Sequence, residues 1–207
     1  YIDPGFHTAA SGRPCLNIDS WAMRADTTAS LFGQVAAHSE IVLGEGVMGL
    51  FDGAHAPPGQ KSGSTADTAA ELGLPVILVV DAAAQAQSAA AVVHGFATFR
   101  DDVTVAGVIF NRVGSARHAD MLERAAAPLG IPILGCVPRS ADVTVPDRHL
   151  GLVQASEVAA LDAFLDAAAD LVAAHIDLAA LRGILKDIGP RPSATPPRSV
   201  PPLGQRI

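Results

Sequence analysis

The feature that most restricts the fold of this chain is an alternation. Short runs of Val, Ile and Leu at 41–43, 76–80, 105–110 and 131–134 are separated by helically patterned stretches at 27–38, 64–72, 87–99 and 116–129. The runs carry few polar residues, so they read as strands apolar on both faces, which belong inside a parallel sheet covered by helices. Strand and helix in strict succession give right-handed crossovers and a doubly wound, mostly parallel α/β sheet. Ligands of such sheets sit beyond the carboxyl ends of the strands. Chemistry is therefore expected just after each run: Gly44 to Gly53, Asp81, Asn111 to Gly114, and Val137-Pro138-Arg139.

Beyond these runs a helix is expected at 157–175, with Val158, Leu161, Leu165, Ala168, Leu171 and Val172 at three- and four-residue spacing. Asp162, Asp166 and Asp170 form an acidic stripe on another face, which reads as a solvated surface. Leu178 to Leu185 adds a short helix. Pro190, Pro192, Pro196, Pro197, Pro201 and Pro202 then crowd the end of the chain, the mark of an extended linker. The expected organisation is one domain over 1–186 and a linker over 187–207 leading to a domain not present. The first residue is Tyr1 rather than Met, so a missing natural beginning is also expected.

Composition narrows the function. The 207 residues are 49% hydrophobic and 17% charged, which allows a sizeable core and excludes a disordered chain or a disulfide-stapled scaffold. A net charge of −7 without any basic run argues against nucleic-acid binding. An anionic ligand would need local help from a metal ion or a few placed arginines. No apolar stretch approaches the ~18–20 residues that span a bilayer, so no membrane association is expected. Cys15 and Cys136 are the only cysteines and form no CxxC pair, so a structural zinc site is not expected and a cytoplasmic protein is. Cys136 reads as a strand-end residue rather than a nucleophile.

The strongest local signal is Glu45 and Asp52 in a loop with Gly44, Gly46, Gly49 and Gly53. Carboxylates at a strand end suit Mg²⁺ on nucleotide phosphates; a loop whose acids are merely solvated has the same spacing. Pro4 biases Asp3 toward extended backbone, as a strand exit or a turn. Asn111 offers a donor and an acceptor that suit a nucleobase edge, and also suits the start of a loop. Arg139 can meet a phosphate or hold its own loop. Ser64-Thr65-Ala66-Asp67 has capping-box-like spacing at a helix start, where free N–H groups also receive anions. The seven histidines form no ligand or triad pattern. Trp21 lines an apolar site or anchors its loop.

Several stretches, taken in order, resemble the cobyrinic acid a,c-diamide synthase family, including its members that use hydrogenobyrinic acid. They are YIDP at 1–4, GRP at 12–14 with NIDSW at 17–21, EGVMGLFDG at 45–53 and GSTAD at 63–67. NRVGS at 111–115 with Arg117-His118, Pro138-Arg139, and RHLGL at 148–152 complete the series. The resemblance covers roughly 1–175. It implies a P-loop NTPase-like fold similar to dethiobiotin synthetase, with the first strand and phosphate loop missing; no G-x-x-x-x-G-K-[ST] occurs in the chain. It also implies an absent glutaminase domain after the linker. The implied activity is ATP-dependent, glutamine-using amidation of the a and c carboxylates of a corrinoid, in cobalamin biosynthesis. By resemblance Glu45 holds Mg²⁺ and Asp52 lies beside the phosphoryl-transfer centre. Tyr1, Ile2 and Asp3 shape the corrinoid site, with Ser64 and Thr65 on the substrate side. Asn111 reads adenine, with Arg112, Pro138 and Arg139 near the nucleotide. The implied partners are ATP, glutamine-derived ammonia and the corrinoid, with a homodimer as a further expectation. The alternatives are amidation of another tetrapyrrole, nickel sirohydrochlorin, and a non-catalytic P-loop-like binding module. The chain alone is expected to be inactive.

Overall fold

The structure is a computed structural model that describes residues 2–57, 59–144 and 153–187. Tyr1, the RHLGL stretch and almost all of the expected linker therefore lie outside the described residues. In chain order the helices are α1 (Ile2–Ser11), α2 (Ala25–Ala37), α3 (Thr65–Leu72), α4 (Ser88–Thr98), α5 (Ala116–Ala126), α6 (Leu161–His175) and α7 (Leu178–Ile184). The strands are β1 (Val76–Asp81), β2 (Val105–Val113) and β3 (Ile133–Pro138). The described residues fall into two compact units: 2–17 with 73–186, and 18–72 with Asp187.

The first unit is built on a parallel sheet in the order β1-β2-β3. Phe110 in β2 is 0% exposed, and Val108, Leu134, Val93 of α4 and Leu122 of α5 are buried with it. Removing such side chains from water stabilises the fold by about 1.5–3 kcal/mol each. Helices pack on both faces at β2 and β3, while Val79 of β1 stays 59% exposed. Cys136, in register with Phe110, donates its thiol hydrogen to Glu123 of α5 at 3.7 Å. The opposite face carries Gly107, which Ile184 of α7 approaches, and Gly135, which the end of α6 approaches. This is the α/β, P-loop NTPase-like arrangement expected. Phe6 of α1 meets Phe164 of α6, ring centroids 6.3 Å apart.

Local chemistry sets the element ends. Ser115 caps α5 by accepting the His118 N–H. The expected helix at 116–129 is α-helical only to Ala126 and ends in a 3₁₀ turn over Ala127–Leu129. Pro128 has no N–H to continue the ladder, and Gly130 leaves in the left-handed region at φ +68°. Asp177 caps α7 by accepting the Ala179 and Ala180 N–H groups.

The second unit holds α2, α3 and the glycine-rich loop. Three further expectations are corrected. Ile41–Leu43 is not a strand: no described segment pairs with it, and Leu43 is 84% exposed. Three residues bury too little apolar surface to hold a strand without a neighbour. Asp3 is not in extended backbone but in the first turn of α1. A proline is tolerated there because the first N–H groups of a helix lack partners, and the Asp3 carboxylate favours the positive end of the helix dipole. The helix expected at 157–175 begins at Leu161, after a 3₁₀ turn over Ala155–Glu157 and a left-handed Ala160 at φ +56°. Among the described residues no helix is long and apolar enough to cross a membrane.

Gly135 and Gly107 differ in what a side chain would meet. At Gly135 a Cβ would collide with the His175 carbonyl oxygen and lie 3.0 Å from Ile176 Cα, both backbone atoms. At Gly107 its nearest neighbours would be side-chain atoms of Leu134 and Ile184 rather than backbone. Gly135→Ala is expected to cost about 1–3 kcal/mol by overpacking, and Gly107→Ala distinctly less. Chemical denaturation of the two variants beside the parent chain measures both.

Candidate functional site

The parallel strands bring their carboxyl ends to one edge, and the side chains there interlock. Asp81 and Asn111 are direct neighbours across β1 and β2. Asp81 Oδ1 accepts the Ala83 N–H at 2.9 Å, and its Oδ2 accepts Arg112 Nη1 at 2.8 Å. The Ala83 N–H is the leading cause holding the Asp81 carboxyl below the ordinary aspartate value; desolvation, the next largest effect, opposes it, and the positive charges of Arg112 and Arg139 lower it further. Arg112 stands at φ +61°. A non-glycine residue in that region costs roughly 1–2 kcal/mol, and here it is fixed at both ends. Its N–H donates to Asn111 Oδ1 at 2.8 Å and its guanidinium is held by Asp81.

Beside this cluster opens a cleft of about 570 Å³. Asn111, Arg112, Pro138 and Arg139 line one side, Ser140 and Thr144 add hydroxyls, and Ala168, Leu171 and Val172 of α6 form an apolar wall. The size is that of an ordinary small-molecule site. Two guanidinium groups beside an apolar wall supply what a planar base with an anionic tail needs, in a chain whose overall charge is negative. All four residues expected near the nucleotide thus line the same cleft. The α6 wall was read in the sequence only as packing, and the hydroxyls of Ser140 and Thr144 carried no signal there.

In the second unit the glycine-rich loop folds against the start of α3. Leu50 is buried and its carbonyl accepts the Ala66 N–H at 2.9 Å. Gly46 lies so close to Thr65 that a Cβ there would fall 2.5 Å from Thr65 Cγ2. Asp52 Oδ2 accepts the Gly49 N–H at 3.0 Å and its own N–H returns to Gly49 O, closing a turn. Glu45 and Asp52 are both exposed. Met48 sits at φ +64° and is 83% exposed, with Val47 exposed beside it.

Ser64 is 1% exposed and caps α3, accepting the Asp67 N–H at 3.1 Å. The reciprocal half of the capping box is displaced: Asp67 Oδ2 accepts from the Ser62 N–H, the Ser62 hydroxyl and the Gly63 N–H. Thr65 stays half-buried, 3.5 Å from the Val47 carbonyl. Trp21 is exposed, on a loop whose Asp19 carboxylate accepts the Trp21 and Ala22 N–H groups. Ile2 and Asp3 lie on α1, in the first unit. Burial first, then the neighbouring Glu123 charge, pushes the Cys136 thiol up to about 11, which disfavours its thiolate.

Comparison with known proteins agrees with this architecture. Residues 18–147 match the family described as the AAA domain. The chain belongs to that family. It is 52% identical over 185 residues to a protein of Brucella ovis named hydrogenobyrinate a,c-diamide synthase, covering 89% of this chain and 42% of that protein. Proteins of the same name from Rhizobium meliloti and Agrobacterium fabrum are 48% and 44% identical over 206 and 207 residues, covering 46% and 47% of their lengths. The chain therefore spans less than half the length of these curated relatives. No solved structure gives a significant match.

Two measurements check the electrostatics. The Asp81 carboxyl is lowered in the folded state, so its stabilising contribution is present above the unfolded-state value and is lost as pH falls through the folded one. Carboxyl ¹³C titration should place its midpoint below that of an unstructured Asp. In Arg112→Ala the midpoint should rise only part of the way, because the Ala83 N–H remains. Cys136 should alkylate much more slowly at pH 8 than a free cysteine in an unfolded peptide, measured by mass spectrometry with iodoacetamide.

Proposed function

We propose that the full-length protein containing this chain is a synthetase that uses ATP and glutamine to amidate the a and c carboxylates of hydrogenobyrinic or cobyrinic acid, and that it works in the cytoplasm. The observation that carries the reading is the cleft at the sheet edge, in which Asn111, Arg112, Pro138 and Arg139 meet beside an apolar wall. The shared name of the relatives supplies the substrate class.

The chemistry follows from the carboxylate. It resists ammonia because it is anionic and its oxygen leaves poorly. Attack of a carboxylate oxygen on the γ-phosphorus of ATP expels ADP and forms an acyl phosphate. Ammonia released from glutamine attacks the acyl carbon, inorganic phosphate departs, and a proton is lost to give the amide. In this reading Asn111 meets the base while Arg112 and Arg139 meet the phosphates, with Pro138 shaping the turn. Asp52 stands by the phosphoryl-transfer centre. Tyr1, Ile2, Asp3, Ser64 and Thr65 serve the corrinoid side, Ser64 through its cap on α3.

The residues fit a magnesium ion of one particular kind. Among the described residues no group of three or more His, Cys, Asp or Glu side chains could hold a metal alone. Mg²⁺ on a nucleotide needs only one or two carboxylates besides phosphate and water, and the exposed Glu45 offers one. Bound there, the ion supplies charge neutralisation for the transferring phosphoryl group.

Incubation of the full-length protein with ATP, Mg²⁺, glutamine and hydrogenobyrinic acid should yield the a,c-diamide, read by mass spectrometry. Glu45→Gln should lower kcat by about 10²–10³-fold, the usual effect of removing a group that stabilises transition-state charge. Conversion of a nickel tetrapyrrole with no corrinoid diamide would overturn the substrate. The 207-residue chain alone should give no diamide even with free ammonia.

A further inference from the structure

His118 was part of no ligand pattern in the sequence, yet it joins the two loops that frame the cleft. It sits in the first turn of α5 and is half-buried. The Gly114 N–H lies 3.1 Å from its Nδ1, and its Nε2 lies 2.6 Å from the Gln85 carbonyl oxygen. A backbone N–H can only donate and a carbonyl can only accept. Both bonds are therefore satisfied by one state of the ring: neutral, with the proton on Nε2.

Each end of this bridge is tied to the cleft. Gly114 is three residues beyond Asn111 and two beyond Arg112. On the other side, Gln85 Nε2 donates to the Asp81 carbonyl at 3.2 Å, and its backbone N–H donates to Ala82 O at 3.1 Å. Ala82 in turn donates to the Asn111 carbonyl at 2.9 Å. The loops after β1 and β2 thus form a closed circuit, Asp81–Gln85–His118–Gly114–Arg112–Asp81, whose last link is the Arg112–Asp81 ion pair. Arg112 inside it keeps a left-handed backbone that it would not hold unaided. Gln85 Oε1 is buried with no hydrogen-bond partner.

We propose that His118 is a positioning residue for nucleotide binding: the neutral imidazole clamps the two strand-end loops and so fixes Asn111 and Arg112 at the cleft. It touches no ligand itself. This rests on the reading of the cleft as a nucleotide site. It assigns His118 a role in ATP affinity and none in the steps on the corrinoid.

Three substitutions in the full-length enzyme separate the parts of the clamp. His118→Asn keeps an acceptor at the δ position for Gly114. His118→Gln keeps a donor at the ε position for Gln85, and His118→Ala keeps neither. His118→Ala should raise the KM for ATP about tenfold, the scale of one or two lost hydrogen bonds. Its kcat and its KM for the corrinoid should stay within about twofold. The Asn and Gln variants should each recover part of the ATP affinity. Asn111→Ala, which removes a direct contact, is the reference for nucleotide loss. An unchanged ATP KM in His118→Ala, with Asn111→Ala impaired, overturns the role of His118 and leaves the nucleotide site standing. So does a lowered melting temperature with no change in ATP KM, or a fall in kcat alone. If Asn111→Ala and Arg112→Ala both keep the wild-type ATP KM, the nucleotide site itself falls, and the clamp with it.

Discussion

Parallel pairing onto β2 is the constraint from which the rest of the first unit follows. A parallel neighbour cannot be reached by a tight hairpin, so β1 and β2 are each followed by a crossover, and each crossover contains a helix. Every strand then runs the same way, and every carboxyl end opens on the same edge. Asp81, Asn111 and Pro138 are far apart in sequence, but all end strands or nearly so, and the sheet makes neighbours of them. Burial of Val108 and Phe110 on one face of the central strand fixes that register. A slip of one residue would turn Phe110 toward the other face and carry Asn111 away from Asp81.

Electrostatics at this edge run against the charge of the whole chain. The molecule is acidic, yet Arg112 and Arg139 line the cleft, and Asp81 is the acid placed against Arg112. An exposed ion pair of this kind adds little to stability. Its effect is geometric: it holds a long, flexible cation over the cleft, so less side-chain freedom remains to be lost when an anion arrives.

Strand and helix identity were legible where the pattern was long. The runs at 76–80 and 105–110 are apolar for five and six residues and became β1 and β2. Ile41–Leu43 has the same residue types but too few of them, and a strand needs a partner that residue type alone does not name. The start of the chain misled for a different reason. Pro4 restrains Asp3 locally, but α1 has Phe6 packed on Phe164, more than 150 positions away, and tertiary packing outweighed the local bias. At the cleft, strand-end logic found Asn111, Arg112, Pro138 and Arg139. It missed His118, whose importance lies in backbone partners contributed by two separate loops. Side-chain chemistry can be read along a sequence, whereas a carbonyl such as that of Gln85 looks the same at every position. Ser64 shows the opposite case: the spacing named a cap correctly, but burial shows how fully its hydroxyl is committed to that duty.

The short antiparallel bridge between Gly135 and Ile176 has a consequence for how the sheet can grow. With Asp177 donating its N–H to the Leu134 carbonyl, the outer flank of β3 is already occupied, and an incoming strand would have to peel the α6–α7 connection away. Among the described residues no strand pairs with the outer flank of β1. Enlargement of this sheet by another stretch of polypeptide is thereby one-sided: it proceeds from β1 outward and is closed at β3.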